Sequence, residues 1–156
     1  MSYCQKLRVA FCSEEHTNNV IFINPQTGEH VHTLAGHTSL VTQCVHIAEY
    51  MLFATSSMDM TIALWEQDSG QCVYFTTTTT LNEDPMPQTY LMWDSQHKLL
   101  FTGAMDGRII GWQLKITGKI EITRKYVLFE KRKYSLQINE QTKHLLGMNR
   151  DGGIYN

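Results

Sequence analysis

His37 and Asp59 are the residues of this chain best suited to proton chemistry, since an imidazole beside a carboxylate can relay a proton or orient a base. The same pair could be structural, because a buried carboxylate and a buried imidazole are tolerable when each satisfies the other. The remaining candidate sets are thinner. His30 and His32 share one face of a strand-like run and could clip a metal, or could sit satisfied or exposed there. Thr117-Gly118-Lys119 resembles the end of a phosphate-cradling loop, but the position of the required upstream glycine holds Gln113. Asp106-Gly107 and Asp151-Gly152-Gly153 lack the alternating acidic ligands of a calcium loop, and no Gly-x-Ser-x-Gly elbow occurs. Cys4, Cys12, Cys44 and Cys72 form no Cys-x-x-Cys pair and lie among apolar neighbours, which reads as reduced, buried thiols rather than zinc ligands. No activated nucleophile, metal set or cofactor motif emerges, so a non-enzymatic protein without cofactor is expected.

The elements that must position these residues are strands. Short runs rich in Val, Ile, Phe, Tyr, Thr and Leu alternate with clusters of Gly, Asn, Asp, Ser and Gln, and no stretch carries a helical period. Pro25-Gln26-Thr27-Gly28 has proline where φ is preset and glycine where φ must be positive. Gly70 and Gly118 mark comparable turns further on. One unit reads as strand a over about 40–47, strand b over about 51–57, strand c over 61–66 and strand d over about 72–76. A second set covers about 90–94, 98–103, 108–114 and 119–123. Three strands precede these sets, and two with the start of a third follow. The fold class is all-β.

The unit repeats. Ser57-Met58-Asp59-Met60-Thr61-Ile62-Ala63-Leu64-Trp65 returns as Ala104-Met105-Asp106-Gly107-Arg108-Ile109-Ile110-Gly111-Trp112, with both the aspartate and the tryptophan displaced by 47 residues. Asp151 opens a third copy 45 residues after Asp106. Self-similarity at this period marks an array of one supersecondary unit. With Gly36-His37 ahead of it, the copy ending at Trp65-Glu66 resembles the WD-repeat β-propeller family, whose repeat runs Gly-His, roughly 20 to 30 residues, Asp in a tight turn, then Trp-Asp. The resemblance implies four-stranded antiparallel blades, with pieces over about 1–35, 36–79, 80–124 and 125–156. It also implies that His37 bridges Asp59 and a hydroxyl of strand b that in turn reaches the Trp65 indole. Alternation offers Thr55 and Ser57 for that hydroxyl. On this reading His37 and Asp59 are structural.

The other copies depart from the pattern. Asp84 stands where a histidine would precede Asp106, and Phe129 where one would precede Asp151. Those blades are expected to rely on packing. Propellers close rings of about four to eight blades. Two complete and two partial blades therefore read as a fragment, for which the resemblance implies a seven-bladed propeller, or as a ring completed by another chain.

Resemblance further implies a role as a protein-interaction scaffold in a multiprotein complex. Its partner-binding face would be built from Thr38, Ser39 and Leu40 at the entry to strand a, with Met58, Met105 and Arg150 before the turn aspartates. The irregular stretch 80–88 is a further contact candidate. Charge supplies the alternative. Residues 1–97 carry two basic and ten acidic side chains, a balance of −8, whereas residues 98–156 carry eleven and five, a balance of +6. The basic strip Lys115–Lys133, including Lys125, Lys131, Arg132 and Lys133, could bind phosphoinositide, RNA or another polyanion, or could simply guard a sheet edge. The run Thr76–Thr80 could accept phosphate or serve as plain strand. No apolar run is long enough to span a membrane, and a cytoplasmic or other intracellular location is expected.

Overall fold

The computed structural model describes residues 2–4, 7, 9–14, 16–78, 86–116, 120–128, 133–138, 145–149 and 154–155, with side chains described from Cys4 as far as residue 123. The chain forms successive antiparallel sheets. β1 (Ser2–Cys4), β2 (Val9–Ser13), β3 (Val20–Ile23) and β4 (His30–Leu34) make the first. β5 (Val41–Ile47), β6 (Leu52–Ser57), β7 (Thr61–Glu66) and β8 (Cys72–Thr77) make the second. The third contains β9 (Gln88–Asp94), β10 (Leu99–Ala104), β11 (Ile109–Ile116) and β12 (Ile120–Leu128). β13 (Lys133–Ile138), β14 (Leu145–Asn149) and β15 (Ile154–Tyr155) pair as the fourth. Within each sheet the strands lie side by side in chain order, an up-and-down meander that short turns alone can connect.

The first sheet corrects the sequence reading, which found three strands there. Ser2–Cys4 adds a fourth, pairing Tyr3 with Ala10 and Cys4 with Val9. A three-residue strand is too short to show period-2 alternation, so only the pairing reveals it.

Sheets stack face to face because both faces of the middle strands are apolar. Every residue of β6 is buried, and so is every residue of β7 except Glu66. One face of the second sheet (Phe53, Ala63, Trp65) packs on Phe11, Val20, Phe22 and Leu34 of the first. The other face (Leu52, Ala54, Ile62, Leu64) packs on Leu91, Leu100, Ile110, Trp112 and Leu114 of the third. Strand identity thus follows from a near-continuous apolar run buried on both sides, as in an interior strand, and less from simple alternation.

Polar groups stitch the second and third sheets where β5 meets β9. The Thr42 hydroxyl donates to the Gln88 carbonyl at 2.8 Å, and the Leu91 N–H donates to Gln43 Oε1 at 2.8 Å. Beyond the opposite ends of these strands, Glu49 accepts from Lys98 Nζ (2.9 Å) and from the Trp93 indole (3.2 Å), and Trp93 meets Tyr50 edge-on. Turn chemistry agrees with residue type: Gly28 and Gly70 sit at φ 74° and 67°, where a Cβ would be strained.

Leu64 is 1% exposed and stands at the centre of the second-to-third sheet contact. Leu64→Ala is expected to lower unfolding free energy by about 2–5 kcal/mol, read from the denaturant midpoint.

Candidate functional site

The sequence-derived residues converge where the link from β4 enters the second sheet. The β6–β7 turn holds Asp59, and the link Ala35–Leu40 carries His37 over the face of β6 and β7. Gly36 lets this link lie flat: a Cβ there would come 3.2 Å from Trp65 Cη2. The side chains of His37 and Asp59 are 1% and 5% exposed.

Hydrogen bonds run through this site in one direction. The Trp65 indole N–H can only donate, and it donates to Thr55 Oγ1 at 2.7 Å. His37 Nδ1 faces Asp59 Oδ2 at 2.9 Å, and a carboxylate can only accept, so Nδ1 carries the proton. That leaves Nε2 of the neutral ring to accept the Thr55 hydroxyl at 2.7 Å. Asp59 Oδ2 also accepts the Thr38 N–H (2.9 Å), while Oδ1 accepts the Thr61 N–H (3.0 Å) and the Thr61 hydroxyl. The Thr61 oxygen lies 3.1 Å from His37 Nδ1.

Alternation left Thr55 and Ser57 open for the bridging hydroxyl; the geometry puts Thr55 there. Trp65 is opposite Phe53 in the register, so its indole reaches the next residue on that face. Ser57 acts elsewhere: its hydroxyl lies 3.1 Å from the Ser39 carbonyl and 3.0 Å from that of Leu40, and it accepts the Asp59 N–H at 3.1 Å. Thr61 escaped the sequence reading, although an Asp-x-Thr turn ahead of a strand is a legible sign of a carboxylate capped by the hydroxyl and N–H two residues on.

Electrostatics follow from this wiring. Burial holds the His37 pKa below its ordinary 6.5, outweighing the opposing pull of Asp59. For Asp59, burial acts upward, but the Thr61 hydroxyl, the Thr38 N–H and His37 together bring it below 3.8.

The third sheet keeps half of the arrangement. Trp112 Nε1 donates to Thr102 Oγ1 at 3.0 Å, repeating the Trp65–Thr55 bond exactly one blade on, so packing is not its sole support. Asp106 is engaged differently: it accepts the Arg108 backbone N–H at 3.1 Å and pairs with the Arg108 side chain, which occupies the Thr61 position. Asp84, Arg150, Asp151, Lys131 and Arg132 lie outside the described residues, and Lys125 and Lys133 are placed only as backbone. The side chains of Lys125, Lys131, Arg132 and Lys133 therefore have no described geometry.

Among the partner-face residues, Leu40 is 44% and Met105 55% exposed; Thr38 is exposed, and Ser39 and Met58 are half-buried. His30 hydrogen-bonds Thr33 at 2.7 Å, and no group of three metal-ligating side chains forms among the described residues. Among the described residues no helix is long and apolar enough to cross a membrane.

Four-stranded meanders stacked face to face, with an Asp–His–Thr–Trp network clamping a blade, define a propeller-type repeat protein. Residues 28–66 match the WD domain, G-beta repeat. The chain is 31% identical over 106 residues to apoptotic protease-activating factor 1 of Danio rerio, a match spanning 68% of this chain and 8% of that protein. Its fold is similar to that of the computationally designed Ika4 protein, with a TM-score of 0.68 at 19% identity, covering 95% of this chain and 83% of the other. The chain belongs to the WD-repeat family.

Two consequences can be measured. Asp59→Ala strands several buried donors and is expected to lower stability by about 3 kcal/mol. Asp106→Ala breaks a more exposed pair, and its loss is expected to stay near ~1 kcal/mol by chemical denaturation. Both shifted groups bind fewer protons folded than unfolded, so stability falls with acid. The His37 contribution is lost as pH drops below 6.5 towards its depressed folded value, and that of Asp59 as pH drops below 3.8. His37→Gln should flatten the upper part of the stability–pH curve, measured by denaturation from neutral to acid.

Proposed function

We propose that this chain is a non-enzymatic binding scaffold that joins a multiprotein complex through the end of the blades carrying the β6–β7 and β10–β11 turns. The observation that carries the reading is the surface there. Val41 pairs with Ser57 and Gln88 with Ala104, which brings strand entries and turns to one end. Leu40 and Met105 stand exposed, with Met58, Met60, Met86 and Pro87 half-buried beside the same turns. The backbone under them is pinned: Met58 N–H donates to the Leu40 carbonyl at 2.9 Å, and Met105 N–H to the Pro87 carbonyl at 3.0 Å. Flexible thioethers on a fixed backbone adapt to partner surfaces. A scaffold also fits the chemistry of His37 and Asp59, whose ring nitrogens and carboxylate oxygens are all engaged within the blade. Four free cysteines support placing this activity in a reducing, intracellular compartment.

Affinity capture with quantitative mass spectrometry tests the face. Leu40→Asp combined with Met58→Asp and Met105→Asp should deplete specific partners about tenfold or more while circular dichroism stays unchanged, since a few anchors dominate an interface. An unchanged partner set with the folded triple variant rejects the proposal.

A further inference from the structure

The outermost strand of the second sheet leaves its backbone open on one side. β8 pairs with β7, and among the described residues no strand pairs with its other edge. The register fixes which groups are left over. Thr78 N–H donates to the Met60 carbonyl at 3.1 Å, and two residues back along the same antiparallel ladder Thr76 faces Ile62, then Tyr74 faces Leu64. Hydrogen-bonded pairs alternate in such a ladder, so Tyr74 and Thr76 turn their N–H and C=O towards β7. Phe75 and Thr77, in between, turn theirs outwards. The pairing skips Val73 and is regular from Tyr74 to Thr77. The Thr77 carbonyl has a 3.3 Å contact from the Thr76 hydroxyl and keeps a second lone pair.

Natural sheet edges are commonly blunted by charge or proline. β12, the outer strand of the third sheet, carries Glu121, Arg124 and Lys125. β4, that of the first, sets two imidazoles, His30 and His32, among its five residues. Cys72-Val73-Tyr74-Phe75-Thr76-Thr77 has neither charge nor proline. Val73 is 41% and Phe75 47% exposed. The Phe75 ring rests 5.5 Å from the His37 ring, so this anchor is already held in place. Outward N–H and C=O groups on an extended backbone are matched by another extended backbone. Charge narrows the choice further. The turn leading into β8 carries exposed Glu66 and Asp68, and residues 1–97 hold two basic side chains against ten acidic ones.

We propose that the β8 edge receives an extended segment of a partner protein as a fifth strand, apolar or β-branched along its length and basic at one end. The added strand runs antiparallel to β8, continuing the meander, so its carboxyl-terminal end lies beside Glu66 and Asp68. Its main chain pairs with the outward groups of Phe75 and Thr77, and its side chains on one face meet the Phe75 ring. Lysine or arginine at its carboxyl-terminal end meets the acidic turn. This rim surface goes beyond the end face described above and uses none of Leu40, Met58 or Met105.

The test is fluorescence anisotropy with a labelled peptide of alternating valine and threonine that ends in two lysines at its carboxyl terminus. Hydrogen–deuterium exchange should show the peptide slowing the amides of residues 75–77. Thr77→Pro removes one outward N–H and no bond to β7, and should weaken binding about fivefold, the worth of one hydrogen bond. Val73→Lys and Phe75→Lys set a like charge against the peptide and should each weaken it about tenfold or more. Glutamates in place of the peptide's lysines should do the same. Leu40→Asp with Met105→Asp should leave binding unchanged, which separates this edge from the end face. Binding that survives both Thr77→Pro and Val73→Lys, or protection that falls outside β8, overturns the proposal. A dimer that forms without peptide and is lost in Thr77→Pro would give the edge to a second copy of this chain, and overturns it as well.

Discussion

The second sheet depends on one hydroxyl. Thr55 is fully buried and has one proton to give, so it can serve both neighbours only if Trp65 donates to it and His37 accepts from it. That requirement makes His37 neutral at Nε2, which places its proton on Nδ1 and demands an acceptor there. Asp59 is that acceptor, and its remaining capacity is taken up by the backbone of Thr38 and by Thr61. A chain of single-direction bonds therefore ties the innermost link, two central strands and the turn into one object. Inside a low-dielectric core such bonds are strong when complete and expensive when broken. The link it holds carries Thr38, Ser39 and Leu40, and the turn carries Met58, so rigidity in the network is the precondition for a defined surface outside it.

Much of this was legible because the network is made of residues with narrow chemical options. Trp65, Asp59 and His37 could be paired through the resemblance to WD repeats once the repeat was seen. Thr55 could not be separated from Ser57, because alternation puts both on one face and only the register decides which lies beside the indole. Strand c of the second sheet coincided with its sequence reading, Thr61–Glu66, since turns with strong residue preferences bound it. The short β1 and the Cys4–His46 contact were illegible for different reasons. Three residues are too few to show a period, and the Cys4–His46 contact joins positions 42 residues apart.

The third sheet shows what happens when the repeat drifts. The tryptophan-to-threonine bond survives because it needs only two residues ten apart in a strand pair. The histidine bridge spans a longer link, and where Arg108 replaces the Thr61 position, Asp106 turns to the guanidinium instead. Apolar packing then carries a larger share: Leu91, Leu100, Ile110, Trp112 and Leu114 meet the second sheet in one cluster. An aspartate can thus be retained at a repeat position while its physical role changes from buried acceptor to partly exposed ion pair.

Stacking two sheets that are apolar on both faces raises a problem of position, since hydrophobic contact is non-directional and would allow them to slide. The directional groups at β5 and β9 answer it. Thr42 and Gln43 are neighbours on one strand, yet one donates to a β9 carbonyl and the other accepts a β9 N–H, so sliding by even one residue would leave both unmade. Buried polar groups left unpaired are penalised more than paired ones are rewarded. The same logic operates within the second sheet through Thr55 and between the first two sheets through His46. Apolar burial supplies the stability of this protein, and a few polar side chains with a single permitted direction decide where each blade stands.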